Sequence, residues 1–219
     1  MICWSCKKDA ASDAGADAVC ASCGALQPPD RGADHFAVLG LPARYAVDLA
    51  AAEAAFKQLS RQVHPDRFAT ADPRARRASL ARTVQLNEAW RTIKDPVARA
   101  AYLLERAGVE VASEDNKKAD FDGEPRGTRK VNAPPAFLLE ILELNDELEA
   151  AKRAGDAVKV AFMAEEMRAK ANESMRAIAA GLEAGTPERL EAAGLAFIAL
   201  RYQRRFLESA ERKQGGPLG

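Results

Sequence analysis

The chain has 219 residues, 47% of them hydrophobic, and its 32 Lys and Arg balance its 32 Asp and Glu. This length and apolar content allow one or two domains with sizeable cores, and zero net charge argues against bulk attraction to nucleic acid or to an anionic membrane. The apolar runs fall short of the roughly 20 residues that a membrane span needs, and no secretory signal pattern opens the chain, so we expect a cytoplasmic protein with no membrane partner.

All four cysteines lie in the first 23 residues, as two C-x-x-C pairs, Cys3/Cys6 and Cys20/Cys23. Two such pairs can complete the tetrahedron of thiolates that zinc prefers, and no ligand position is then left open for chemistry. A rubredoxin-like iron site and a disulfide pair are alternatives, the disulfide being the weaker one in a reducing cytosol. The spacing therefore predicts a structural metal-binding unit over residues 1–30, with zinc favoured and iron not excluded.

Beyond the segment "QPPDRGAD", which is typical of a short linker, helical periodicity dominates and strand-like alternation is absent. A short helix in "DHFAVLGLP" is followed by one that begins after the N-cap Asp48 and ends at Val63, because Pro65 cannot continue it. A third helix opens at Asp72-Pro73 and ends at Asp95-Pro96, and a fourth ends at Gly108. We expect the third helix to turn four side chains inward: Leu80, Leu86, Trp90 and Ile93.

The composition of residues 109–133 predicts a linker, which separates a helical domain over 34–108 from a second one over 134–213. Three helical segments, 134–154, 156–184 and 187–213, meet at Gly155 and Gly185. Because short connections make neighbouring helices antiparallel, we expect a three-helix bundle. The predicted fold class is all-α, with the small metal-binding unit in front.

The tripeptide His64-Pro65-Asp66 follows a helix whose face carries Lys57 and Arg61 at helical spacing. Read alone, His64 is a helix-end cation and Asp66 a turn former. A general base formed by His64 beside Asp66 is a further alternative. No nucleophile or oxyanion motif accompanies the pair, so we expect that the protein is not an enzyme.

The stretch "AFLLEILELNDELE" carries more apolar side chains than one bundle-facing seam needs. Phe137, Ile141, Leu144 and Leu148 already form that seam. Leu138, Leu139 and Leu142 lie off it, among five acids and no base between residues 137 and 149. Either a second helix of the bundle buries these leucines, or they form a partner site rimmed by acids.

Several motifs together resemble one family. "HPDRFA" and "LNEAWRTIKDPVARAAYL" are similar to the pattern of J-domains, and with "HFAVLGLPARYAVD" and "AFLLEILELNDELE" they resemble the HscB-type J-domain co-chaperones of iron–sulfur cluster assembly over residues 34–210. The two cysteine pairs resemble an extension that some members carry. The resemblance implies a J-domain over 34–108 and a scaffold-binding bundle over 134–213.

The resemblance also implies two partners and their binding residues. A DnaK/HscA-type ATPase chaperone would bind His64, Pro65, Asp66, Lys57, Arg61 and Arg67. An IscU-type iron–sulfur scaffold would bind Leu138, Leu139, Leu142, Glu143, Asp146 and Tyr202. Ala150 stands where the family usually has an acid. Weak self-association is a further expectation, nucleic acid is not an expected partner, and the competing interpretation is a zinc-dependent adaptor or nucleic-acid-binding protein with a J-domain.

Overall fold

The structure, a computed structural model, describes residues 2–9, 18–30, 32–111 and 129–212. Within these ranges the chain is mostly helical, and the predicted all-α fold class is confirmed. The helices are α1 His35–Val38, α2 Leu49–Val63, α3 Pro73–Lys94, α4 Pro96–Arg106, α5 Pro135–Arg153, α6 Ala157–Ala184 and α7 Pro187–Glu211, with a 3-10 turn at Pro65–Phe68 and two short strands, β1 Val109–Val111 and β2 Arg129–Val131.

The chain divides into two compact units, an N-terminal unit of residues Met1–Arg99 and a C-terminal unit of residues Ala100–Gly219. The boundary falls within α4, so the N-terminal unit contains the cysteine pairs together with α1, α2 and α3. The four predicted segments, 1–30, 34–108, 109–133 and 134–213, stay predictions.

In the N-terminal unit, carboxylates at the predicted N-caps start the helices. Asp48 accepts hydrogen bonds from two backbone N–H groups in the first turn of α2, and Asp72 accepts one from Arg74 at the start of α3. Pro73 occupies the first position of α3, where its missing N–H leaves no intrahelical bond unmade. These local contacts explain why both helices begin where the sequence predicts.

Helices α2 and α3 bury an apolar seam that includes Phe56 stacked on Trp90, with ring centroids 5.3 Å apart. Leu86 and Ile93 are buried as predicted, but Leu80 is 56% exposed, so its predicted inward position is wrong. The first half of α3 turns small residues inward instead, among them Ala78 and Ser79. Small side chains let α2 approach closely there, and Leu80 is rotated by about 100° from Ser79 onto the outer face.

The C-terminal unit is built on α5, α6 and α7, whose connections fall at Gly155 and Gly185 as predicted. Its core contains Leu148, Met163, Met167 and Phe206. Gly181 lets α6 and α7 approach closely, because a Cβ atom there would lie 2.6 Å from the backbone oxygen of Arg189 and 2.7 Å from the Cβ of Ala193. The seam predicted for α5 is the side that packs, with Ile141 and Leu148 buried.

The strands β1 and β2 were not expected from the sequence. They pair in parallel, with Val109 opposite Arg129 and Val111 opposite Val131. Strands of three residues are too short for an alternating pattern to be recognised. Val109 and Val131 contact α7 at Gly194, where a Cβ atom would lie 3.1 Å from either valine side chain. The rest of the predicted linker, residues 112–128, lies outside the described residues.

Among the helices of the described ranges, none combines the length and apolar character that crossing a membrane requires.

Candidate functional site

The two cysteine pairs form loops of the same design. The N–H of Lys7 donates to the carbonyl of Cys3 at 3.1 Å, and the N–H of Gly24 donates to the carbonyl of Cys20 at 2.8 Å. Lys7 and Gly24 both have left-handed backbones, with φ of 63° and 70°. Glycine adopts this conformation without strain, whereas for lysine it is uncommon. Each loop thereby turns its two thiols toward the same point.

The four sulfur atoms are close enough to hold one ion. The Sγ atoms of Cys3, Cys6, Cys20 and Cys23 all lie within 4.8 Å of one another. The distance is 3.7 Å between Cys3 and Cys23 and 3.8 Å between Cys6 and Cys20. A tetrahedron with Zn–S bonds of about 2.3 Å has edges of about 3.8 Å. The residues present therefore suit a tetrahedral thiolate-bound ion, and when bound this ion supplies a cross-link between the loops.

The thiols of the cluster differ in acidity. Burial raises the pKa of Cys3, but the N–H groups of Cys6 and Ser5, which lie 3.5 and 3.4 Å from its Sγ, together with the neighbouring thiols of Cys23 and Cys20, outweigh this and lower the pKa to about 6. For Cys6, the N–H of Lys8 lowers the pKa, but burial and the neighbouring sulfur atoms raise it to about 11. Ionising one thiol therefore opposes ionisation of the next, and a cation at the centre removes that opposition.

The metal-binding loops are held against α3. Gln27 is buried, and its Nε2 donates to the Sγ of Cys3 at 3.3 Å while its Oε1 accepts from the N–H of Trp4. The backbone oxygen of Gln27 accepts from the Nε of Arg82 at 2.6 Å. Arg74 lies over the Trp4 ring, 5.9 Å from its centroid. Gln27 opens the segment predicted as a linker, and neither it nor Arg82 carries a periodic or motif signal by which sequence reasoning could have found it.

The turn after α2 is anchored from α3 as well. Pro65 has no N–H, so it cannot satisfy a free carbonyl at the end of α2. The buried hydroxyl of Ser79 donates to the carbonyl of Val63 at 2.6 Å instead, and Thr83 lies 3.5 Å from the same oxygen. Sequence reasoning missed Ser79, since a serine within a helix gives no sign of its partner.

The predicted chaperone-binding residues lie together around this turn. His64 and Asp66 are exposed, with the side chain of Asp66 91% accessible, and the N–H of Asp66 donates to the Nδ1 of His64 at 3.3 Å. Lys57 pairs with Glu53 on the exposed side of α2 at 2.7 Å.

Arg67 donates from its Nη1 to the backbone oxygen of Arg61 at 3.1 Å, so its guanidinium also braces the turn. Arg61 itself is exposed and Pro65 is half-buried. The side chains of His64 and Asp66 are therefore accessible to solvent, while hydrogen bonds from Ser79 and Arg67 hold the backbone next to the turn.

The predicted scaffold-binding residues of α5 also share one exposed surface. Leu138, Leu139 and Leu142 are 39%, 62% and 57% exposed, so the described residues of this chain do not bury them. Glu143 and Asp146 are exposed beside them, and neither takes part in an ion pair within the described ranges.

Tyr202, also predicted for this site, lies on α7 with its ring edge-on to Phe137 at the start of α5, at a centroid distance of 5.6 Å. Four residues before and after it on α7, Ile198 and Phe206 are buried in the unit itself, whereas Leu195 is 38% exposed. Tyr202 is therefore adjacent to the α5 surface and borders the core of the unit.

Comparisons with known proteins point to one family. A family model described as "HSCB C-terminal oligomerisation domain" matches residues 133–211. A "Co-chaperone protein HscB homolog" of Cupriavidus taiwanensis is 36% identical over 155 residues, which cover 71% of this chain and 80% of that protein. A protein of the same name from Bordetella petrii is 40% identical over 54% of this chain, but the match spans only 62% of the relative.

Two solved structures have a similar fold. The crystal structure of human co-chaperone protein HscB superposes with a TM-score of 0.73 and 25% identity, covering 95% of this chain and 96% of that one. Chaperone HscB from Vibrio cholerae gives a TM-score of 0.65 and 26% identity, covering 82% of this chain and 96% of that one.

Replacing Ser79 with alanine tests the anchor of the turn. We expect Ser79→Ala to destabilise the N-terminal unit by about 1–3 kcal/mol, because the buried carbonyl of Val63 loses its closest donor. Urea unfolding followed by circular dichroism measures this, with Thr70→Ala, which removes an exposed hydroxyl of the same unit, as the control. Equal stability of the two variants would contradict the role of Ser79.

Metal analysis tests the cysteine cluster. We expect one equivalent of metal per purified chain, lost in Cys23→Ser but kept in the neighbouring control Ser22→Ala. Stripping the metal with a chelator should lower the melting temperature of the N-terminal unit, because the loops are tied to α3 through Gln27 and Arg82. A metal content below about half an equivalent would reject the site.

Proposed function

This chain belongs to the HscB family of co-chaperones, and from that membership we propose that it holds an IscU-type iron–sulfur scaffold and stimulates the ATPase of a DnaK/HscA-type chaperone. The observation that carries the proposal is the exposed His64-Pro65-Asp66 turn, anchored from inside the N-terminal unit. The relatives are named co-chaperones. That this chain performs no catalysis of its own stays a prediction.

The turn suits a contact that must be both rigid and polar. Pro65 restricts the backbone, and the hydroxyl of Ser79 fixes the preceding carbonyl. His64 and Asp66 then present a ring nitrogen and a carboxylate to a partner with little loss of conformational freedom on binding. Lys57 and Arg61 add positive charge on the preceding helix, which favours an acidic surface on the chaperone.

The α5 surface suits a different partner. Leu138, Leu139 and Leu142 supply an apolar centre, and Glu143 and Asp146 supply negative charge at its edge. Such a combination favours a partner with apolar anchors and basic residues around them. The turn and this surface lie on separate compact units, so the two sets of binding residues do not overlap.

Tethering is the proposed mechanism. The C-terminal unit holds the scaffold, while the turn of the N-terminal unit docks on the chaperone and promotes ATP hydrolysis there, after which the chaperone clamps the scaffold. The driving force is binding free energy, since no step of bond chemistry is assigned to this chain.

We assign the cysteine cluster to structural zinc. Four thiolates complete a tetrahedral shell, which leaves no open position for a reacting ligand. Rubredoxin-like iron is the alternative with the same ligands. The competing function, a zinc-dependent adaptor or nucleic-acid-binding protein with a J-domain, has less support because the chain has no net charge.

Self-association is a second candidate property. The matched family domain is described as an oligomerisation domain, and it coincides with the helices α5, α6 and α7. We propose a weak, concentration-dependent association of this chain through its C-terminal unit.

Changing Asp66 to asparagine tests the chaperone contact. We expect Asp66→Asn to keep its helix content by circular dichroism but to lose ATPase stimulation by at least about tenfold, because a charge-assisted contact at an interface is removed. The measurement is steady-state ATP hydrolysis by the chaperone. Glu173→Gln makes the same charge change on α6 and should stimulate normally. Unchanged stimulation by Asp66→Asn would overturn the assignment.

Truncating the exposed leucines tests the scaffold contact. Leu138, Leu139 and Leu142 changed together to alanine should weaken scaffold binding at least about tenfold, measured by titration calorimetry, with little change in melting temperature. Leu148→Ala is the matched control on the same helix. It is fully buried, so it should instead cost about 2–5 kcal/mol of stability. A large fall in melting temperature for the triple variant would mean that its leucines are core residues.

A further inference from the structure

Two apolar side chains on α6 are used neither by the core of the C-terminal unit nor by the proposed scaffold surface. Val158 is 82% exposed and Phe162 is 62% exposed. They are four residues apart, so they lie on the same side of the helix. A phenyl ring that is left largely in water beside a second apolar side chain is typical of a surface that another molecule covers.

A cavity of about 170 Å³ lies directly beside Phe162, between α5 and α6. Leu144, Met163, Met167 and Phe206 contribute its apolar walls. An apolar cavity of about 150 Å³ is large enough to bind benzene. This cavity can therefore take one phenyl ring, and its methionine walls can adjust to the ring because the methionine side chain is flexible.

The rim of the cavity carries both signs of charge. Glu147 and Lys159 pair across 2.8 Å, Lys170 pairs with Glu140 at 3.0 Å, and Glu166 completes the rim. Each lysine is paired with an acid, so the rim carries both signs of charge and is close to neutral, unlike the acidic surface formed by α5. A neutral rim of mixed sign is complementary to a copy of itself, whereas the acidic α5 surface is complementary to a basic partner.

We propose that two copies of this chain associate through α6, with the Phe162 ring of each copy entering the cavity of the other. A two-fold interface requires that the same surface both gives and receives each contact. Here the projecting ring and the cavity are neighbours on one surface, which meets that requirement. The two Phe162 rings then lie near each other, and aromatic pairs of this kind add to the apolar contact. Val158 extends the apolar strip along the helix.

The proposed α6 interface rests on the self-association proposed above, and it identifies the residues responsible for that association. The apolar area is small, so the equilibrium lies toward monomer at low concentration and shifts to dimer as the concentration rises. The α5 leucines are not part of the contact, so a dimer leaves the proposed scaffold surface open.

Sedimentation velocity of the full chain, from micromolar to millimolar concentration, tests the proposal. Wild type should shift from monomer toward dimer. Phe162→Ala should weaken the dimer at least tenfold, because each dimer buries two of these rings, and Phe162→Glu should be monomeric throughout. Leu80→Glu is the matched control, since it changes a side chain that is 56% exposed on the N-terminal unit, and it should dimerise like wild type.

Three results would overturn the assignment. A monomeric wild type at every concentration removes the self-association itself, whereas a dimer that Phe162→Glu does not weaken removes only the α6 surface. Loss of scaffold binding in Phe162→Glu, measured by calorimetry, would make the scaffold the occupant of this cavity. If Phe162→Glu abolishes the dimer but wild type neither binds the scaffold nor stimulates the chaperone, the co-chaperone proposal fails and the dimer surface stands.

Discussion

The hydrogen bond from the Ser79 hydroxyl to the Val63 carbonyl is the contact on which the His-Pro-Asp turn depends. A helix that ends at a proline leaves carbonyl groups without partners, and Pro65 has no N–H to offer. Because Ser79 supplies the missing donor from within α3, α2 can end abruptly and still be tied to its neighbour. The turn thereby stays rigid although His64 and Asp66 make few contacts of their own.

The same helix supports the metal-binding loops. Arg82, one turn beyond Ser79 on α3, donates to the backbone of Gln27, whose side chain reaches the sulfur of Cys3. A single turn of α3 thus contacts both the loop that would hold a metal ion and the end of α2. Contacts of α3 therefore connect the cysteine loops to the part of the N-terminal unit that carries the turn.

The proposed function requires two binding surfaces, and these differ in the sign of their charge. Lys57 and Arg61 lie beside the turn on the N-terminal unit, whereas Glu143 and Asp146 lie beside exposed leucines on the C-terminal unit. A surface of mixed sign near Phe162 is different again. Distinct charge patterns of this kind allow different surfaces of one chain to select different partners.

Local chemistry determined much of this protein from the sequence alone. Spacing predicts the features that depend on groups only a few residues apart. These are the helix starts at Asp48 and Asp72, the end of α2 before Pro65, and the two C-x-x-C loops. Tertiary packing decided the rest. Leu80 is outside because α2 approaches the small residues of α3, and the strands at Val109 and Val131 exist because Gly194 admits them against α7.

Tertiary structure also decided three hydrogen bonds: Ser79 to the Val63 carbonyl, Gln27 to the Cys3 sulfur, and Arg82 to the Gln27 carbonyl. In each of them the two residues are at least 16 positions apart in the sequence. No periodicity records which carbonyl a hydroxyl or a guanidinium will reach. A sequence pattern carries the signal of contacts along one helix or one loop, whereas contacts between elements arise only when the packed backbone brings their atoms within hydrogen-bonding distance.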